Sequence, residues 1–173
     1  MIRVLDIFIS LVGLILFLPV LTIVYVLCWL DTGYPIFAQR RLGLNESVFT
    51  IYKFRTMCMQ AESLPTHDSD KTWITSLGGF LRRTKLDETP QLVNVLLGQM
   101  SLVGPRPGLP DHEALILARR EFGIYDVRPG VTGPAQIEGI NMSRPVELAR
   151  RDMEWLENVS VSRYFGYLLK TLF

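Results

Sequence analysis

Two hydrophobic patterns divide the chain. From Ile7 to Leu30 no residue is charged and nearly all are apolar. As helix that run is roughly 36 Å long, enough for a hydrocarbon core about 30 Å thick. Pro19 stands near its middle, removes a backbone donor and crowds the carbonyl four residues back, which predicts a sharp kink. Arg3 lies on one flank and Arg40 with Arg41 on the other, so basic residues favour neither end. Two geometries fit: a bent helix that enters and leaves on one face, and a kinked helix that crosses. A cleaved signal peptide fits poorly, because the run is long and no small-x-small site follows it. Leu27 ahead of Cys28 argues against lipoprotein processing there.

Beyond residue 34 the pattern breaks into short elements. Residues 35–39 and 48–57, rich in β-branched and aromatic side chains, predict a hairpin around a turn at 40–46. Lys53 and Arg55 alternate with Tyr52 and Phe54, as on a strand at headgroup level or on one with a solvated face. Residues 60–72 are polar, with His67, Asp68 and Asp70 clustered; this is either a metal loop or a solvated one. Residues 74–84 predict an amphipathic helix with Leu77, Phe80 and Leu81 inward. Its Arg82 and Arg83 either complement the helix dipole or flank a bound polyanion.

The most informative stretch follows, Lys85-Leu86-Asp87-Glu88-Thr89-Pro90-Gln91-Leu92. Pro90 fits a first helical turn, with Thr89 or Asp87 as cap. Leu92, Val93, Leu96 and Leu97 recur at helical spacing up to a stop at Gly98. Two adjacent acids at a helix start either cap it or do chemistry. Next, two prolines and two glycines frame Arg106 in Gly104-Pro105-Arg106-Pro107-Gly108, a rigid mount for an arginine that grips phosphate. Asp111 is expected to cap a helix through Phe122, with Arg119, Arg120 and Glu121 on a solvated face. Arg128 repeats the proline-and-glycine frame, ahead of a short strand that closes residues 127–137. Ser143 is expected to cap a helix through about Glu157. The tail from Val161 either lies in an interface or closes the core.

Composition narrows the chemistry. With 18 basic and 17 acidic side chains the net charge is +1, so there is no footprint for nucleic acid. Mean hydropathy is +0.24, an excess that sits in the first thirty residues. Cys28 and Cys58 lie in dissimilar contexts and predict no disulfide, as in a reducing setting. No zinc-hydrolase pattern, nucleophile elbow, Walker loop or dinucleotide fingerprint occurs. What remains is acids among framed arginines, the materials of phosphoryl chemistry. Mg²⁺ binds one or two carboxylates together with substrate phosphates, arginines spread phosphate charge, and a carboxylate can attack phosphorus.

Four stretches in order, Lys53-Phe54-Arg55-Thr56-Met57, residues 82–91, Ser101-Leu102-Val103-Gly104-Pro105-Arg106-Pro107 and Arg128-Pro129-Gly130-Val131-Thr132-Gly133, closely resemble the monotopic phosphoglycosyl transferases, bacterial sugar transferases of small, minimal type. The resemblance implies transfer of a sugar 1-phosphate from a UDP-sugar to undecaprenyl phosphate with release of UMP, by a ping-pong route. It makes Asp87 the nucleophile and a Mg²⁺ ligand, Glu88 its partner in the second step, and Arg106 a phosphate binder, with Arg82 and Arg128 as further candidates. It makes the N-terminal helix re-entrant, with the site at the cytoplasmic face of the inner membrane; Pro19 in that helix and Lys53 and Arg55 on the second strand are the expected membrane contacts. Membrane lipids are expected partners, nucleic acid is not, and homodimerisation is left open. Leu18, Gln99, Pro134 and Ile140 depart from the family pattern, the last two where the donor pocket is expected. The competing readings are a membrane-bound hydrolase of nucleotide sugars or polyprenyl diphosphates, and a non-catalytic scaffold. The expected fold is α+β and mainly helical. Residues 1–34 form the membrane helix and its flanks. Residues 35–173 form a cytosolic catalytic domain at the interface, with a small β-hairpin and interfacial amphipathic helices.

Overall fold

The computed structural model describes residues 1–58 and 73–172; the His67, Asp68 and Asp70 cluster lies outside them. The fold is α+β and mainly helical. A long helix α1 (Ile2–Thr32) is followed by strands β1 (Ile36–Leu42) and β2 (Val48–Phe54), then helices α2 (Ser76–Thr84) and α3 (Gln91–Leu96). Strand β3 (Ser101–Val103), helix α4 (Glu113–Glu121), strand β4 (Gly130–Thr132), and helices α5 (Pro134–Ile137), α6 (Pro145–Glu157) and α7 (Val161–Leu172) complete it.

Helix α1 runs through Pro19 and ends where Gly33 turns left-handed at φ 78°. Asp6, Ser10, Val24 and Cys28 are buried along it. Ile2, Leu5 and Ile9 pack against one core cluster and Leu21 against another. These positions form one stripe at helical spacing, so both halves of the helix rest on the same folded body. Between those contacts the middle of the helix stands in the open, with Ile15, Leu16, Phe17, Leu18 and Val20 all exposed.

The hairpin forms as expected but with different ends. β1 and β2 pair antiparallel from Ile36 opposite Phe54 to Leu42 opposite Val48. Its strands therefore claim residues 40–42 from the expected turn, which shrinks to Gly43–Ser47, closed by a hydrogen bond from the Gly43 N–H to the Ser47 carbonyl. β2 stops at Phe54 rather than Met57, because Thr56 and Met57 leave to pair with Thr75 and Ile74. There α2 approaches so closely that a Cβ on Gly78 would lie 2.1 Å from the Thr56 carbonyl oxygen. That contact turns the buried face of α2 to Gly78 and Leu81 and leaves Phe80 48 % exposed, not inward.

Residues 101–103, which lead into the Arg106 mount, are a strand parallel to β4, with Ser101 opposite Gly130 and Val103 opposite Thr132. Three residues per strand carry too little periodicity to read. The pair nevertheless decides the architecture, because it ties the two proline-framed arginine loops together. Residues 134–137 are helical instead of extended, opened by Pro134. His112, not Asp111, caps α4, its Nδ1 accepting from the Leu115 N–H at 3.3 Å. Ser143 does not cap α6; it bonds back to Asn141 Oδ1, and the helix starts on Pro145. The tail closes the core: Tyr164 of α7 is fully buried, in a cluster with Phe49, Ile51, Val95, Met100 and Trp155.

Candidate active site

Asp87 and Glu88 do not open a helix; they occupy the tight 3-10 turn Leu86–Glu88 between α2 and α3. Lys85 ends α2 in a left-handed conformation, φ 59° and ψ 11°, uncommon for a residue with a side chain. It reverses the chain so that Leu86 packs against the cluster of Phe54 and Leu81 while the next two residues turn toward β2. Thr89 does not cap α3; its hydroxyl donates back to the Leu86 carbonyl at 2.7 Å and fastens the turn.

The two carboxylates have different fates. Lys53 of β2 donates to Glu88 Oε1 at 2.6 Å, with both side chains less than a fifth exposed. Burial opposes ionisation of Glu88, but Lys53 and then Arg106 outweigh it and hold the carboxyl below the usual range. Burial also works against the charge on Lys53, and Glu88 opposes that effect. Asp87, 9 % exposed, accepts no hydrogen bond from any described residue. Burial and then the neighbouring Glu88 raise its carboxyl above the usual range, against the pull of Lys53, Arg82 and Lys85. One acid is neutralised and the other awaits a positive charge.

Two devices fix this geometry. Asn94 of α3, fully buried, donates to the Thr50 carbonyl and to Gln99 Oε1, both at 2.7 Å, and accepts from the Tyr52 N–H at 3.3 Å. It therefore bolts α3 to the strand that carries Lys53. Gln99, one of the departures from the family pattern, completes that bolt. Arg106 is held by its loop: the Gly104 N–H donates to the Thr132 carbonyl and the Gly130 N–H to the Pro105 carbonyl, both at 2.8 Å. A Cβ on Gly130 would meet the Gly104 nitrogen at 2.1 Å, so only glycine permits this approach. The Arg106 guanidinium itself makes no hydrogen bond among the described residues.

Glu88, Arg106, Arg41 and Lys85 line a cleft of about 1120 Å³ that runs on past His112 to Met142. A narrower recess beneath it is bounded by Lys53, Glu88, Gln91 and Arg106. Gln91 is 2 % exposed with its Nε2 unpartnered, a group that sequence reading passed over as part of a helix. Arg82 donates to Thr56 Oγ1 at 2.9 Å and acts on Asp87 from behind the turn. Arg128 stands apart, exposed, its Nε donating to the Gly98 carbonyl at 2.7 Å. Nearby, Arg3 donates to the Val95 carbonyl at 2.6 Å and so complements a last carbonyl of α3, while Arg128 holds the turn just beyond it. Arg55 is buried, donates to the Tyr34 carbonyl and lies 5.7 Å over the Phe37 ring.

The donor set suits a divalent cation. Asp87 is an ionisable carboxylate without a donor, and Glu88 adjoins it. No third acid, histidine or cysteine joins them among the described residues. Mg²⁺ bound through one or two carboxylates, with water and substrate phosphates for the rest, asks for no more.

Comparison with known proteins decides the family. The family model described as "Bacterial sugar transferase" matches residues 1–173. The chain belongs to the bacterial sugar transferase family. Among its relatives, the sugar transferase EpsL of Bacillus subtilis is 40 % identical over 132 residues, which cover 76 % of this chain and 65 % of EpsL. The UDP-glucose:undecaprenyl-phosphate glucose-1-phosphate transferase of Caulobacter vibrioides is 36 % identical over 98 % of this chain and 67 % of its own length. The Escherichia coli protein of the same name is 39 % identical over 78 % of this chain, which spans only 30 % of that protein. This bacterial sugar transferase thus spans about two thirds of the length of the first two of these and under a third of the last.

Proposed function

We propose that this chain transfers a sugar 1-phosphate from a UDP-sugar to a polyprenyl phosphate such as undecaprenyl phosphate, at the cytoplasmic face of a bacterial inner membrane. The observation that carries this is the split between two adjacent acids: Glu88 is neutralised by Lys53 and lines the cleft with an unengaged Arg106, while Asp87, next to it in the turn, is unpaired. A carboxylate that no side chain of the fold engages is free to attack phosphorus directly.

In this reading an Asp87 oxygen bonds to the sugar-proximal phosphorus while the bond to the bridging oxygen breaks, and UMP leaves with that electron pair. The lipid phosphate then attacks the same phosphorus and frees Asp87. Glu88, kept ionised by Lys53 and Arg106, takes a proton from the incoming lipid phosphate. Arg106 grips the transferred phosphoryl oxygens. Mg²⁺, held by Asp87 with Glu88 adjacent, would screen the phosphates from the carboxylate that attacks them.

The bearing of α1 supports a re-entrant rather than a crossing helix. Both halves rest on one body, and a crossing helix could not keep both contacts. Its apolar outer side then faces acyl chains instead of water, with Pro19 at the deepest point.

The test is UMP release from a panel of UDP-sugars by the detergent-purified chain with Mg²⁺, with and without undecaprenyl phosphate. Lipid-dependent turnover is expected, with one UMP at most per protein in its absence. Full turnover without lipid would assign a hydrolase instead, and no UMP release from any donor would refute the reading.

A further inference from the structure

Arg41 ends β1 as a buried cation without a counter-ion. It is 7 % exposed and makes no ion pair among the described residues, whereas the fully buried Arg119 meets Asp152 at 2.8 Å. Its Nη1 donates to the Pro107 carbonyl at 3.2 Å and lies 3.9 Å from Met142 Sδ, and its Nη2 donates to Gln39 Oε1. Of the five guanidinium N–H groups this leaves the Nε–H, which is buried and meets no acceptor, and one on Nη2. Those adjacent nitrogens form the edge with which Arg120 grips Glu46 and Arg151 grips Glu138 elsewhere in the chain. In Arg41 the same edge meets Gln39 Oε1 on one nitrogen and no acceptor among the described residues on the other.

Its neighbours deepen the imbalance. Burial, and after it Arg106, push the guanidinium down to about 10, Asp111 pulls back, and Arg119 pushes again. A desolvated cation beside a second cation is costly unless an anion completes the set. Arg41 lines both the recess and the wide cleft. Glu88 and Arg106 line the same recess and the same cleft, and Met142 lines the cleft with its Sδ 3.9 Å from Arg41 Nη1.

We propose that Arg41 grips the second phosphate of the nucleotide-sugar donor, the one that departs with the nucleoside. Asp87 attacks at one end, Arg106 holds the phosphoryl group in transit, and Arg41 takes up the charge that gathers on the leaving phosphate as the bridging bond breaks. No proton is required, because the leaving group departs as an anion already paired with the guanidinium. This inference rests on the proposed transfer reaction.

Direct binding of UMP to the full chain by calorimetry, together with donor kinetics, tests it. Arg41→Gln should weaken UMP binding about tenfold or more and lower kcat/KM for the donor about 100-fold, as loss of a bidentate charged contact does. Arg41→Lys, a point charge without the fork, should recover part of both. Gln39→Ala, which removes only the Nη2 partner, should shift UMP affinity less than about threefold, whereas a purely structural role would make it resemble the arginine variants. A folded Arg41→Gln protein that binds UMP like wild type overturns the inference while transfer by wild type stands. If that variant fails to fold, Arg41→Lys with wild-type UMP affinity and kcat/KM overturns it equally. Wild type without turnover whose UMP binding still depends on Arg41 upholds the site and sinks the transfer reading.

Discussion

Asp87 and Glu88 share a turn and a sign of charge, yet their surroundings separate them. Glu88 has Lys53 at 2.6 Å, and Asp87 has no donor at all among the described residues. Asp87→Asn changes one atom and removes the charge proposed to attack phosphorus, without breaking any side-chain hydrogen bond among the described residues. Turnover is expected to drop by about a thousandfold or more while the thermal midpoint stays within a few degrees. Steady-state UMP release and a melting curve on the same preparation check both halves. This acidic pair and the framed Arg106 were legible in the sequence because each is local: neighbouring residues, or a residue between two prolines. Arg41 was not. Read as part of a turn and as a topological flank, it lies in a strand, and its isolation follows from Pro107, Met142 and Arg106, groups that are 65 to 101 positions away.

The same limit explains the elements that were misread. Arg119 was placed on a solvated face, but Leu115, Ala118 and Arg119 form the buried face of α4, and the reason lies in α6. Asp152, itself 1 % exposed, answers Arg119 at 2.8 Å, a partner that no periodicity within α4 announces. Helical spacing reports which positions face inward and not what waits there. The pair makes a pH-dependent joint between α4 and α6. Burial pushes the Asp152 carboxyl up to about 6 from 3.8, with Arg119 pulling it back. A carboxyl raised in the folded state favours folding fully below its unfolded value and loses that contribution as the pH rises through its folded value. Arg119→Met removes the restraint, so its cost should be about 3 kcal/mol at pH 7.5 and smaller at pH 5, where Asp152 keeps its proton. The double variant Arg119→Met with Asp152→Leu should regain most of that stability and lose the pH dependence. Urea melts at the two pH values give all three outcomes.

At the scale of the whole molecule the long helix and the catalytic body are one packed unit. Oδ1 of Asp6, near the start of α1, accepts from the Leu102 N–H at 3.0 Å, the Ser101 hydroxyl at 3.1 Å and the Tyr164 hydroxyl at 2.7 Å. It thereby joins α1 to α7 and to the strand that leads into the Arg106 loop. Near the other end Val24 and Cys28 pack with Phe54 and Leu81, next to Leu86 of the Asp87 turn. The sequence alone left crossing and re-entry equally open, because hydropathy measures how deep a run sits and not where its ends return. The proposed re-entrant helix keeps both sets of contacts, whereas a crossing would require the Asp6 cluster or the Cys28 cluster to come apart. The buried carboxylate makes the first rupture expensive, since it would strand Asp6 and the Tyr164 hydroxyl in an apolar setting. Hence a cysteine appended before Met1 and another at Asp31, in a chain whose Cys28 and Cys58 are replaced by alanine, should react alike with a membrane-impermeant maleimide. In sealed inverted vesicles both should label, and in intact cells neither should. Labelling of one and protection of the other would mean that the helix crosses, that one of these two packing clusters is absent in the membrane, and that Asp87 and the lipid face are not held by the same scaffold.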